Sequence, residues 1–210
     1  MKKKTRSIIE EQLQRLNRSP LFAISLSGKE LSHSNFWAWL LEQEVEGNYP
    51  FIEVFIPDFY QNGYTFISVE REKKHVDLTI TYKNKANETE VLIIENKIKS
   101  IPTKEQLMRY EEELGKQDVA ITGILTGLYA SLDIQELGKW SFLSYQEIAK
   151  RIQNIQQRHA TMDFADYIKQ YAEDIEVLYA LFQSKMEQNK GKYIIGDKDL
   201  EKIRYSDIYV

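Results

Sequence analysis

The chain contains no cysteine. That single absence excludes a disulfide framework, a thiolate zinc site and a cysteine nucleophile together. Histidine is nearly as scarce, and His33, His75 and His159 lie too far apart to form a metal-ligand motif. No phosphate-binding glycine loop, no Gly-x-Ser-x-Gly elbow and no dinucleotide-binding glycine fingerprint occurs. The chain opens on Met1-Lys-Lys-Lys4, but charged Glu10 and Glu11 follow with no apolar run between. Neither a signal peptide nor a membrane span is expected, and the expected location is cytoplasmic. Internal repeats and low-complexity linkers are missing as well.

What remains is 210 residues, 42% hydrophobic and 29% charged, which is enough for one sizeable core and a single globular domain. The net charge of −4 does not favour a polyanionic partner in itself. Its distribution is uneven, however. Arg71, Lys73, Lys74, Lys97, Lys99, Lys104 and Arg109 crowd one stretch, while acids collect in 42–46, 111–113 and 163–176. A solvated mixed-charge surface explains any one of these bases better than it explains the group.

The densest piece of chemistry is Val91-Leu-Ile-Ile-Glu95-Asn-Lys97-Ile-Lys99. Four apolar, mostly β-branched residues lead into an acid and a base two positions apart. Strand alternation puts Glu95 and Lys97 on one face and Ile94, Asn96 and Ile98 on the other. In His75-Val-Asp77-Leu-Thr-Ile-Thr81, the same alternation separates Val76, Leu78 and Ile80 from Asp77, Thr79 and Thr81. The polar segment 83–90 reads as a hairpin turn; centred near Ala86, it sets Asp77 opposite Glu95. Two facing carboxylates repel. A divalent cation converts that repulsion into a binding site, since Mg²⁺ takes one or two carboxylates plus waters and phosphate. The plainer alternative is that Lys97 and Lys99 only neutralise Asp77 and Glu95 at an exposed sheet end.

Around this centre, patterning predicts a helix over 7–16 and a second from Ser32 or Ser34 to about Glu46, ended by Gly47. A further helical turn or two is expected over 49–56. Strands are expected over 64–71, 76–82 and 90–97, a helix over 103–114, then strands over 119–125 and 140–143. A helix capped by Ser144, with Glu147 three residues later, and a long amphipathic helix over 163–188 complete the pattern.

The order of these residues resembles the PD-(D/E)xK nuclease superfamily, whose core carries an acid, an Asp, then Glu-x-Lys on a hairpin followed by a helix. It is similar to the RecB-like branch in which that helix carries Gln-x-x-x-Tyr, here Gln106 and Tyr110. It is also similar to a family of bacterial proteins within the superfamily, marked by His-Ser near the start of an N-terminal helix with Trp-Leu-Leu following. Here that segment is Glu30-Leu-Ser-His33-Ser-Asn35-Phe-Trp-Ala-Trp39-Leu-Leu41.

The resemblance spans about 21–152 and implies an α/β, restriction-endonuclease-like core. A mixed central sheet would be flanked by helices, with extra N- and C-terminal helices, the latter over about 160–190. It also implies a Mg²⁺- or Mn²⁺-dependent hydrolase acting on nucleic acid, DNA foremost. Asp77 and Glu95 would hold the metal, Lys97 would be the catalytic lysine, and Glu70 the earlier acid. Glu72, two residues on, is an alternative to Glu70. Gln106, Tyr110 and His33 would support the site, with Glu30 as a weaker candidate. Locally, Gln106 also fits a capping box with Thr103, and Tyr110 fits an apolar stripe with Leu107 and Leu114. Two other functions fit the residues: an inactive nuclease-fold module that binds nucleic acid or protein, and a hydrolase using Glu70 and Glu95 as an acid/base pair.

Overall fold

Nine residues from Thr89 to Lys97 set the architecture, because Val91 to Asn96 are buried without a break. A strand apolar on both faces needs cover on both, which is the signature of a parallel or mixed sheet. The computed structural model describes residues 2–21, 30–98, 104–115, 119–128 and 138–188. In chain order the elements are α1 (Lys2–Arg18), α2 (Glu30–Leu41), β1 (Thr65–Arg71), β2 (Leu78–Lys83), β3 (Thr89–Lys97) and α3 (Lys104–Gly115). They continue with β4 (Ala120–Gly127), β5 (Trp140–Ser144), α4 (Tyr145–Arg158) and α5 (Ala165–Gln188). Short 3-10 turns occupy Pro50–Val54 and Lys73–His75. The chain divides into two units: His33–Lys97 with Ile101–Ser144, and Met1–Ser32 with Ile98–Ser100 and Tyr145–Val210.

The first unit holds one five-stranded sheet in the order β1-β2-β3-β4-β5. The pairs β1–β2 and β2–β3 are antiparallel, whereas β3–β4 and β4–β5 are parallel. The β2–β3 hairpin runs in register from Leu78↔Ile94 to Lys83↔Thr89, so its turn is centred on Ala86 as expected. Asn84 shapes the turn by accepting the N–H groups of Ala86 and Glu88, and Asn87 takes a left-handed φ of 63°. On one face Val91, Ile93, Ile121, Leu125 and Trp140 pack with Leu107 and Tyr110 of α3. Trp140 lies flat on Gly123, where a Cβ would stand 2.4 Å from the indole, so only glycine fits there. The other face sets Tyr82 against Phe59 and Tyr64, while Ser34 of α2 bonds to Asn96.

Helix α2 departs from expectation at both ends. It begins at Glu30, with Ser34 buried inside it, and it stops at Leu41 rather than near Glu46. The serine rule for helix starts yields here to a tertiary bond, because the Ser34 hydroxyl serves Asn96. At the far end, Glu42, Glu44 and Glu46 would place negative charge on the negative pole of the helix dipole. Gln43 instead donates to the Trp39 carbonyl at 2.7 Å, and Glu46–Gly47, both with positive φ, turn the chain between Val45 and Asn48.

The second unit is helical. Both α1 and α4 pack against α5, whose Ile168, Ala172, Ile175, Leu178 and Leu181 are buried. Arg15 of α1 pairs with Glu173 at 3.1 Å, and Gln153 of α4 reaches Glu176 at 3.1 Å. Among the described residues no helix is long and apolar enough to cross a membrane. Residues 189–210 lie outside the described residues.

Candidate active site

Alternation along β3 turns Glu95 toward the face that α3 covers, and the carboxylate ends with its residue 1% exposed. Three side chains meet its Oε1. The Lys97 ammonium stands 2.8 Å away and the Tyr110 hydroxyl donates from 3.2 Å. The Gln106 amide donates to that hydroxyl at 2.6 Å and reaches Oε1 itself at 3.4 Å. Gln106 and Tyr110 share one face of α3 because they are four residues apart, so the helix delivers both to the same oxygen. The other oxygen, Oε2, is buried and has no hydrogen-bond partner among the described residues.

Asp77 precedes β2 by one residue, one step beyond the Leu78↔Ile94 pair. That step sets it across from Glu95, and its Oδ2 accepts the Asn96 backbone N–H at 2.7 Å. Burial raises the pKa of Glu95, and the neighbouring charge of Asp77 raises it further. Lys97 and the Tyr110 hydrogen bond pull it down without cancelling the rise. Burial and a second acid together make Glu95 costly to ionise in the absence of a cation.

The remaining expected residues are placed less centrally. Glu70 sits on β1 opposite Thr79 and forms an ion pair with Lys73. Glu72 cannot take its place by alternation: β1 ends at Arg71, and Glu72 adopts a left-handed φ of 51° and is exposed. Among the described residues, no three His, Cys, Asp or Glu side chains are grouped closely enough to hold a metal ion. Of the expected acids, Asp77 and Glu95 lie near enough for the charge of one to raise the pKa of the other. His33 lies inside α2, buried, with its ring 6.3 Å from that of Trp37. Glu30 accepts the Ile98 backbone N–H at 2.9 Å. Of the expected basic group, Arg71 donates to Asn35, Lys73 is held by Glu70, and Arg109 stands 6.0 Å from the Tyr110 ring centre. Lys99 and the side chains of Lys74 and Lys104 lie outside the described residues.

Residues 20–176 match the family whose description is the PD-(D/E)XK nuclease superfamily, most of the chain's length. The chain belongs to the PD-(D/E)XK nuclease superfamily. Its mixed sheet and flanking α2 and α3 are the restriction-endonuclease-like core of that superfamily. No curated protein and no solved structure gives a significant match to the chain.

Members of the PD-(D/E)XK superfamily typically use divalent metals. The residues here suit such an ion. Asp77 and Glu95 supply hard oxygen donors, a buried carboxylate oxygen lacks a partner among the described residues, and the charge of Asp77 opposes ionisation of Glu95. Two carboxylates leave the rest of a coordination shell to water, backbone or phosphate, as Mg²⁺ sites commonly do.

Three residues bonded behind this centre were not among the sequence candidates: Asn96, whose backbone N–H meets Asp77, and Ser34 and Thr126, which bond the Asn96 side chain. Asn96 carried a signal, because it is a polar residue on the face otherwise formed by Ile94 and Ile98. Thr126 carried none, since its place depends on the parallel β3–β4 register.

Proposed function

We propose that the protein is a metal-dependent phosphodiesterase that hydrolyses nucleic acid, with DNA as the first substrate. One observation supports this reading: Lys97 pairs with Glu95 at 2.8 Å, Asp77 is bonded to the next residue of the same strand, and Glu95 keeps a buried oxygen with no partner among the described residues. Asp77 and Glu95 would hold a Mg²⁺ or Mn²⁺ ion, which would supply Lewis-acid polarisation of the phosphoryl oxygen and a more acidic water. Lys97 has two tasks. Before the ion arrives it offsets the buried charge of Glu95; in the reaction its ammonium stabilises charge developing on the phosphate. Tyr110, polarised by Gln106, holds the Glu95 carboxylate in one orientation. Glu70, paired here with Lys73, would be free to join the ligand set if that ion pair opened. No covalent intermediate is required, in keeping with the lack of a nucleophile motif.

The test is incubation of the purified protein with linear, circular and single-stranded DNA, and with RNA, in Mg²⁺, Mn²⁺ or EDTA. Cleavage that requires a divalent ion and disappears in Asp77→Asn supports the reading. The competing reading, a nuclease-fold module that binds but does not cut, draws on the two-carboxylate ligand set. It gains if nucleic acid binds with equal affinity in Mn²⁺ and EDTA and no substrate is cleaved.

A further inference from the structure

An asparagine in the apolar face of a central strand needs a reason to be there. Asn96 is 0% exposed, between Glu95 and Lys97 in sequence and on the sheet face opposite both. Burying a primary amide without partners costs several kcal/mol, so its hydrogen bonds must hold it. Its Nδ2 donates to the Ser34 hydroxyl of α2 at 3.3 Å. Its Oδ1 accepts from the Thr126 hydroxyl of β4 at 3.1 Å, and Thr126 is also its partner in the β3–β4 register. The same hydroxyl lies 3.4 Å from the Glu95 carbonyl oxygen. One residue further, Gly127 meets the Lys97 carbonyl so closely that a Cβ would stand 2.4 Å from the oxygen.

Ser34 and Thr126 thus hold the Asn96 side chain, and Thr126 also meets the Glu95 carbonyl, from the side away from the carboxylates, while Gly127 lets β4 come close to the Lys97 carbonyl. The arrangement has an output on the near side. The Asn96 backbone N–H donates to Asp77 Oδ2 at 2.7 Å, tying the first acid to the strand that carries the second. Rotation of the Asn96 peptide would move that N–H and the two flanking side chains together.

We propose that Ser34, Asn96 and Thr126 are positioning residues that hold the Asn96 peptide so that Asp77 and Glu95 are presented jointly to one cation. This rests on the nuclease reading above. Groups that orient ligands from behind typically change metal affinity or activity roughly 10- to 100-fold when removed.

Asn96→Ala exposes two buried partners at once and can unfold the sheet, so the informative variants are Thr126→Val, which keeps shape, and Thr126→Ser, which keeps the hydroxyl. Ser34→Ala tests the other arm. Three quantities are read: hydrogen exchange of the Asn96 amide against those of Ile93 and Ile94, kcat and KM on DNA, and the Mn²⁺ concentration that half-saturates the rise in melting temperature. In Thr126→Val the Asn96 amide exchanges several-fold faster relative to its neighbours. The kcat falls roughly 10- to 100-fold, KM for DNA is held, and more Mn²⁺ is needed. Thr126→Ser restores all three toward wild type. A slow Asn96 amide in Thr126→Val overturns the proposal, as does wild-type kcat and Mn²⁺ dependence. Thr126→Ser being as impaired as Thr126→Val reduces the residue to packing and also overturns it. A wild type that cleaves no polynucleotide overturns the nuclease reading instead, and the amide and Mn²⁺ measurements then still decide whether the clamp holds Asp77.

Discussion

Glu95 in the sheet and Asp174 in the helical unit are both buried acids, 1% and 2% exposed, and burial raises the pKa of each. Their surroundings differ in kind. Asp174 has both oxygens engaged, one by the Ser19 hydroxyl and one by the Gln170 amide at 2.9 Å, while the Arg15 charge favours its ionised form and the Glu173 charge opposes it. Glu95 has one oxygen crowded by three donors, the other without a partner, and Asp77 adding repulsion. Burial with a perturbed pKa therefore does not distinguish a site from a strut. The distinction lies in whether hydrogen bonding is completed within the protein. On the proposed function, the carboxylate with complete contacts is a strut and the one left incomplete is the ligand for a cation.

Paired substitutions put the largest expected effect on that contrast. Glu95→Gln and Lys97→Ala should each reduce DNA cleavage at saturating Mn²⁺ by on the order of a hundredfold or more, the scale of losing one preorganised transition-state contact. Asp174→Asn should cleave at the wild-type rate once folded, because its carboxamide can still accept from Gln170 and donate to Ser19. Single-turnover rates measure both. Loss of cleavage in Asp174→Asn at full folding would break the contrast from one side, and wild-type cleavage by Lys97→Ala would break it from the other.

Metal binding comes next in size. An ion that binds the folded chain alone stabilises it by mass action, about 2.7 kcal/mol at a hundred times its Kd. Melting temperature should therefore rise with Mn²⁺ in the wild type and in Asp174→Asn, and barely at all in Asp77→Asn. An equal rise in all three would place the ion elsewhere.

The comparison also separates what the sequence carried from what it did not. The β2–β3 register was legible because alternation and a polar turn are local signals, and Ala86 is at the centre of the observed hairpin. Glu95 with Lys97, and Gln106 with Tyr110, followed from periods of two and four residues. Glu72 was misplaced because a left-handed residue ends β1 and breaks the alternation. Helix α2 was misbounded because Ser34 satisfies Asn96 rather than a helix end. Thr126 is thirty residues from Asn96 in sequence, and no periodicity connects partners across a parallel pair.

The dependence of cleavage on pH gives a smaller but sharper test. Only ionised Glu95 can hold a cation, and its pKa is raised. Cleavage at limiting Mn²⁺ should fall with acidification at a pH above that at which an ordinary carboxylate would protonate. Excess Mn²⁺ should shift the fall to lower pH, because the ion competes with the proton for the same oxygens. A profile flat down to the ordinary carboxylate range would mean that Glu95 is not the titrating ligand.

Smallest of all is the effect on apo stability, where the two acids should first agree and then part. A carboxyl whose folded pKa is raised contributes stability that is fully present below its unfolded pKa and is lost as pH rises through the folded value. At neutral pH the ionised form of either acid therefore costs the fold something. Glu95→Gln should raise the metal-free melting temperature slightly at neutral pH, since the carboxamide keeps an oxygen toward Lys97 and Tyr110 and removes the like charge beside Asp77. Asp174→Asn should move in the same direction, and both gains should vanish below the ordinary carboxylate range. Adding Mn²⁺ should then reverse the order for Glu95 alone, leaving the wild type more stable than Glu95→Gln while Asp174→Asn keeps its small advantage. Thermal melts at two pH values, with and without Mn²⁺, read all four combinations. A reversal at Asp174, or none at Glu95, would undo the distinction between the strut and the site.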